Sequence, residues 1–442
     1  MTKRVVLLAA LLLAAVSLAA APIAIRVDAS EAPSHLLHAH LTIPASPGPL
    51  NLFYPKWIPG EHGPTGPING LAGMRFTANG AAVSWTRDPV EMYEFHVDVP
   101  AGASAIDADL DFLIPAQGTN FTAGASASPR LAVLSWNTVL LYPQTSSSDA
   151  LQYDATLKIP AGWKYATALG TISTTPDIHF ETVSLTTLID SPVQMGAYLK
   201  SITLPNSTPY RHTLNLASES DFSLETPPDF ASRYGKLVDE ATALFGANHY
   251  RHYDWLFTLS DQVEHFGLEH HESSDDRVSE NGITDDEQRK WNSTLLAHEF
   301  VHSWNGKYRR PAGLATSSYE KPMTGELLWV YEGLTEFLGE LLPYRSGLLT
   351  AAEYHDLVAS DAAQMTEHVG RTWRPLLDTA VAAQVLYNSG GSGTAWRRSV
   401  DFYPEGALIW LDVDMTIRSL TGGKRSLDDF CRAFYGGTSG HA

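Results

Sequence analysis

The sequence predicts an α+β chain of two unlike halves, an all-β domain followed by a mostly helical one. Three observations carry this. Up to about residue 220, short alternating stretches are separated by Pro, Gly and Ser clusters, with no long amphipathic helix among them. After Pro227-Pro228-Asp229 the period changes and helical runs take over. Within that second half stands HEFVH, His298 to His302, with two histidines one helical turn apart.

Residues 1–21 carry Lys3 and Arg4, then a short apolar run ending in small residues, the pattern of a secretory signal. The run is short for a spanning helix and no other candidate follows, so the expectation is a cleaved signal, an exported protein (periplasmic or secreted) and no stable membrane insertion. Losing Lys3 and Arg4 moves the formal net charge from −19 to −21. So acidic a chain argues against nucleic acid or anionic membranes as partners. Cys431 is the single cysteine, which rules out an internal disulfide; it reads as a small buried hydrophobe.

A chain of 442 residues allows two or three domains. The first is assigned to 22–220. LLHAHLTI, PLNLFYP, MYEFHVDV, AIDADLDFLI, DATLKI and YRHTLNL are its strands. WIPGEHGPTGPI, rich in Gly and Pro, is an ordered loop; Glu61 and His62 are candidates to touch the active site, but turn chemistry explains most of the loop and favours reading them as structural parts of it.

The second domain is assigned to 221–442. ASRYGKLVDEATALFGANH predicts a helix and YDWLFTLS a strand. Thr284 and Glu287 form a capping-box pattern before the HEFVH run, and Asn305-Gly306 marks its end. Further helices follow over LLWVYEGLTEFLGELL (closed by Pro343), AAEYHDLVASDAAQMTEHV (capped by Thr350 and Glu353), GALIWLDVDMTIRSL (ended by Gly422-Gly423) and SLDDFCRAFY.

Histidines at i and i+4 can reach one tetrahedral zinc ion, and Glu299 between them is placed to take a proton from the attacking water. A metzincin continuation is excluded, because Asn305 and Tyr308 stand where Gly and His are needed. The third ligand comes from elsewhere. Glu332, Glu336 and Glu340 recur every fourth residue on an otherwise apolar helix, where a carboxylate row calls for a charged partner. Glu332 completes a His298-His302-Glu332 set for one Zn2+ and leaves a fourth position for water. Glu336 and Glu340 are both candidates to hold a ligand histidine by its second nitrogen.

HEFVHSWNGKYRRP followed by LLWVYEGLTEF resembles the glycyl aminopeptidase family of zinc metallopeptidases, relatives of the thermolysin-like aminopeptidases. Trp329 and Glu332-Gly333 match the family's W-x-x-E-G segment, whose Glu is the third ligand. Phe53–Ile68 is similar to its N-terminal signature, Phe266–Ser274 to its G-L-E-H segment and Phe402–Arg418 to its tyrosine-bearing helix. The resemblance thus runs from about residue 40 to the C-terminal end and implies a thermolysin-like catalytic domain. It implies that Glu269 holds the substrate's free α-amine, with Gly267 beside it in the substrate site; Phe266 stands where a second glycine is common. It implies that Tyr403 stabilises the tetrahedral oxyanion, within Tyr403-Pro404-Glu405-Gly406 where relatives have Y-E-K-G. Members commonly continue into a PDZ-like module, for which this sequence shows no counterpart. His265, His270 and His271 are read as lining or surface groups.

The expected function is a zinc aminopeptidase acting on peptides with a free N-terminus, with N-terminal Gly or Ala implied by the resemblance alone. A zinc endopeptidase is the nearest alternative, separable by whether N-acetylated peptides are cut. A peptide-binding protein with a structural zinc is another, disfavoured because a structural site has no use for Glu299.

Overall fold

The computed structural model describes residues 21–115, 124–387, 389 and 392–440. The stretch read as a signal lies outside them, apart from its last residue. Among the described residues, no helix is long and apolar enough to cross a membrane.

The N-terminal half is built from strands, as the alternation predicts. Leu36–Pro44 buries Leu37, Ala39, Leu41 and Ile43 and turns His38 and His40 outward. It pairs antiparallel with Ala105–Leu113 along its whole length, Leu36 opposite Leu113 and Pro44 opposite Ala105. These strands lie in a nine-stranded sheet, and two four-stranded sheets stand beside it. Leu37, Leu41, Phe95, Trp136, Tyr153 and Phe180 belong to one continuous core between them.

The loop after the strand Gly48–Phe53 leaves this core and enters the helical half. Trp57 is buried in a cluster with Leu328, Tyr331 and Phe402, and its backbone N–H donates to Tyr319 O at 2.8 Å. A Cβ on Gly66 would stand 1.9 Å from Pro55 O, so the loop folds back on itself where only glycine fits.

The helical half rests on a five-stranded sheet in the order Tyr198–Thr203, Arg211–Ser218, His252–Leu259, Ser273–Val278, Phe266–Glu269. The three central strands are parallel, and the edge strand Phe266–Glu269 is antiparallel to its neighbour. Two strands that precede residue 220 thus belong to this sheet. Arg211–Ser218 pairs with His252–Leu259 from Arg211↔His252 to Ser218↔Leu259, so the first two strands fold with the second half.

The sequence reading also missed Ser273–Val278. SSDDRV has no apolar alternation, yet every residue of it is buried. Much of its polarity is paired: Arg277 donates to Asp275 at 2.5 Å and, outside the strand, to Ser126 Oγ at 2.5 Å, and Ser274 donates to Asp276 at 2.6 Å.

The HEFVH helix spans Asp286–Val301 and begins one residue later than the capping-box reading implied. Asp285 is the N-cap, its side chain accepting from Gln288 N. The Glu332 helix runs Leu328–Ser346, and Pro343 lies inside it rather than closing it; Gly347 at φ 79° ends it. Pro343 removes one backbone donor near the C-terminal end, and the last turn continues past it. The helices Phe230–Phe245, Ala351–Glu367, Pro404–Thr421 and Leu427–Tyr435 stand where the sequence put them, and Cys431 is buried.

Candidate active site

Two strand aromatics hold the HEFVH helix from below. Trp255 Nε1 donates to Leu296 O at 3.0 Å and Tyr253 OH to Glu299 O at 3.2 Å. In the turn that ends the helix, Trp304 stacks on Phe245 with ring centroids 4.5 Å apart. The Glu332 helix packs closely across it, because Gly339 brings no side chain: a Cβ there would stand 3.0 Å from His298 Cα. At Gly333 it crosses the Pro404–Thr421 helix just as tightly, a Cβ on Gly333 falling 2.7 Å from Gly406 Cα. This second contact brings Tyr403, the N-cap of that helix, towards Glu332.

At the crossing, His298 Nε2 and His302 Nε2 are 3.1 Å apart, and each is 3.3 Å from Glu332 Oε2. Ligand atoms of His298, His302 and Glu332 all lie within 4.8 Å of one another, and all three residues are buried. Two imidazole nitrogens and one carboxylate oxygen converging in this way form the donor set that a tetrahedral zinc with one open position takes. The far nitrogens are held as well. His302 Nδ1 donates to Asn305 O at 2.9 Å, and His298 Nδ1 lies 2.7 Å from Glu336 Oε2. Glu340 does not share that task. One turn further on, it hydrogen-bonds Asp361, and burial together with the nearby Glu336 and Asp361 charges pushes its carboxyl up to about 9.

Burial drives the Glu299 carboxyl well above the ordinary range; Glu269, Asp276 and Glu332 reinforce this and His298 opposes it. Gly267 makes room for it, since a Cβ at that position would stand 2.3 Å from Glu299 Oε1. Two residues along the same strand Glu269 is 3% exposed and accepts from Tyr331 OH at 2.5 Å. Burial would raise its carboxyl, but the His302 and Lys307 charges and the Tyr331 hydrogen bond hold it below the ordinary range. Atoms of Glu269, Glu299 and His302 form a second group within 4.8 Å, adjoining the first through His302. Tyr403 OH is 2.8 Å from Tyr387 OH, and its ring centroid is 5.9 Å from that of His298. Burial and the Glu332 charge push its hydroxyl well above its usual range, so it is a neutral donor at pH 7. A cavity of about 620 Å³ opens beside these groups, lined by Phe266, Gly267, His298, Glu299, Tyr387 and Tyr403.

Of the three neighbouring histidines, His265 lines this cavity. His270 lies 3.2 Å from Asp190, and His271 Nε2 donates to His249 O at 2.6 Å. One site residue escaped the sequence reading, and another was weighed there and set down as structural. Tyr387 sits in VLYNSGG, which carries no motif. His62, read as part of a structural loop, is buried with Nε2 2.5 Å from Glu332 Oε1.

The architecture and this site agree with what the chain resembles. The model of the M61 glycyl aminopeptidase family matches residues 291–409, and that of the Peptidase M61 N-terminal domain matches 24–197. The two matches take in most of the chain. It belongs to the M61 glycyl aminopeptidase family. As a family member it is a zinc metallopeptidase, and its function at family level is that of a zinc aminopeptidase. The N-terminal match stops at 197, immediately before the five-stranded sheet begins at Tyr198.

No curated protein matches the chain by sequence. Among solved structures, an aminopeptidase N family protein from Idiomarina loihiensis aligns with a TM-score of 0.81 at 20% identity, covering 93% of this chain and 70% of its own. An M1 zinc metallopeptidase from Deinococcus radiodurans aligns with a TM-score of 0.53 at 13% identity, covering 94% and 86%. Leukotriene A4 hydrolase from Saccharomyces cerevisiae aligns with 0.54 at 13%, covering 94% of this chain and 62% of its own. At these identities the shared feature is the fold.

Proposed function

We propose that the chain removes single residues, Gly or Ala above all, from the free N-terminus of peptides. One zinc ion is held by His298, His302 and Glu332. The observation that carries this reading is the second carboxylate group: Glu269 is buried, and its ligand atom lies within 4.8 Å of those of Glu299 and His302. An exopeptidase must read a cation at a fixed distance from the bond it cuts, and a buried carboxylate beside the metal face does so.

An ion held by these three residues would supply a Lewis acid for the scissile carbonyl and the attacking water. Glu299 takes that water's proton and passes it to the leaving amine; its raised proton affinity suits both steps. Tyr403 donates to the oxyanion from an un-ionised hydroxyl. Glu269 pairs with the α-ammonium, and the strand through Gly267 runs along the substrate. Glu336 keeps His298 oriented. The small-residue preference finds support in Gly60: a Cβ there would stand 2.4 Å from Glu269 Oε2, so loop backbone closes directly over the amine-binding carboxylate. Peptides as substrates fit the fold, since a mutant of the Deinococcus M1 enzyme is described with a Tyr-ser-ala substrate bound. Export is proposed on the N-terminal stretch alone.

The test is metal content together with cleavage of Gly- and Ala-p-nitroanilide by purified protein. One zinc per chain and turnover that disappears in His298→Ala and His302→Ala are expected. Zinc-loaded protein that leaves both substrates intact would overturn the reading. Equal cleavage of N-acetylated peptides would replace it with an endopeptidase.

A further inference from the structure

His62 is 270 residues from Glu332 in sequence and belongs to the other domain, yet their side chains meet at 2.5 Å, each 2% exposed. The two oxygens of Glu332 have divided roles. Oε2 lies 3.3 Å from Nε2 of both His298 and His302, on the face that holds the metal. Oε1 points away from that face and is taken by His62 Nε2. His62 is absent from the group whose ligand atoms all lie within 4.8 Å of one another, so it stands behind the carboxylate rather than among the ligands.

The surroundings fix the imidazole there. The Tyr331, Tyr387 and Phe402 rings surround it at centroid distances of 6.0, 5.7 and 6.2 Å. Its backbone has φ 54°, a left-handed conformation uncommon for a residue with a side chain. Such a conformation persists where the surroundings over-determine it, and here Trp57, buried in the helical half, pins the loop. Tyr403 OH is 3.4 Å from the same nitrogen, so His62 also borders the hydroxyl assigned to the oxyanion.

We propose that His62 is a positioning residue for the zinc site, donating from Nε2 to Glu332 Oε1 so that Glu332 presents only Oε2 to the metal. This rests on the His298-His302-Glu332 reading above. A ligating carboxylate that is itself hydrogen-bonded loses little freedom on binding metal; left unheld, it rotates and offers either oxygen. The N-terminal β domain thereby forms part of the metal site and does more than flank it.

The test compares zinc dissociation constants, by competition with a chromophoric chelator, for the parent and for His62→Gln, His62→Leu and His62→Phe. Glutamine keeps an N–H donor of similar reach, whereas leucine and phenylalanine fill space without one. Weakening of about 10–100-fold is expected for leucine and phenylalanine, with most of the affinity restored in the glutamine variant. Unfolding midpoints of the metal-free proteins identify any variant lost to misfolding, and the two apolar variants back each other up. Parent-like zinc affinity in a folded apolar variant, or equal losses in all three, overturns the proposal. Absence of zinc from the parent itself would instead reject the metal site on which it rests.

Discussion

The two faces of the active site are built in different ways. The metal face is local: His298 and His302 are one turn apart on one helix, Glu332 and Glu336 one turn apart on the next, and Gly339 lets the two helices touch. The substrate face is assembled from afar. It draws Glu269 from an edge strand, Tyr403 from a helix N-cap and Tyr387 from a short helical segment, whereas His62 reaches from the other domain to the back of the metal ligand Glu332. Helical spacing carries the chemistry of the first face, and tertiary placement carries that of the second. If so, changes on the metal face should abolish turnover, and changes on the substrate face should grade it.

The largest expected effect lies where the faces meet. Glu299→Gln keeps shape and zinc but removes the base, so kcat should fall by about 10²–10⁴ while metal content stays at parent level. A modest fall with zinc intact would give the proton transfer to another group. Gly267→Ala should come next. Its Cβ would stand 2.3 Å from Glu299 Oε1, and displacing a reacting group by an ångström can lower the rate on the order of 100-fold. Parent-like kcat in this variant would show that the strand and Glu299 are not so tightly apposed.

Glu336 and Glu340 offer a sharper contrast, one turn apart on the same face. Glu336→Ala should weaken zinc by about 10–100-fold, because His298 Nδ1 loses its partner, whereas Glu340→Ala should change zinc affinity little. Equal losses would mean that the row acts as a charge rather than as a hydrogen bond.

The smallest effect concerns pH. Burial holds the Glu340 carboxyl at about 9 in the folded chain, so the folded state retains a proton there that the unfolded state has released. Stability from this group is therefore lost as pH rises from the ordinary carboxylate range towards 9. Glu340→Gln should flatten the denaturant-unfolding stability between pH 7 and 9 relative to the parent, by at least about 1 kcal/mol. Parallel pH profiles would show that Glu340 is ionised throughout.

The same contrast explains what was legible in the sequence. HEFVH and the Glu332-Glu336-Glu340 row could be read because i, i+4 spacing fixes which side chains meet, whatever the rest of the chain does. The spacing left Glu336 and Glu340 as equal candidates to hold a ligand histidine, and Glu336 is the one that lies 2.7 Å from His298 Nδ1. Glu340 shows its limit: same face and period, but a neighbouring helix supplies Asp361 instead of a histidine. The alternation in LLHAHLTI marked its strand, while Ser273–Val278 was missed because its burial rests on the Arg277-Asp275 pair and not on apolar residues. The sheet that Arg211–Ser218 joins could not be read from sequence, because it alternates like the strands before it and only its pairing with His252–Leu259 shows its place. His62 lies in a Gly- and Pro-rich loop whose turn chemistry accounts for it locally; its meeting with Glu332 is set by two domains packing together.

The measurement that tests the division most directly is Glu269→Gln, assayed as kcat/KM on matched peptides with free and N-acetylated termini. Pairing an α-ammonium with a carboxylate in a buried cleft is worth about 1.5–3 kcal/mol. The variant should therefore lose roughly ten- to a hundredfold on free-amine substrates, lose little on blocked ones, which are already poor, and keep its zinc. Equal losses on both substrates, or efficient cleavage of blocked peptides by the parent enzyme, would contradict the account.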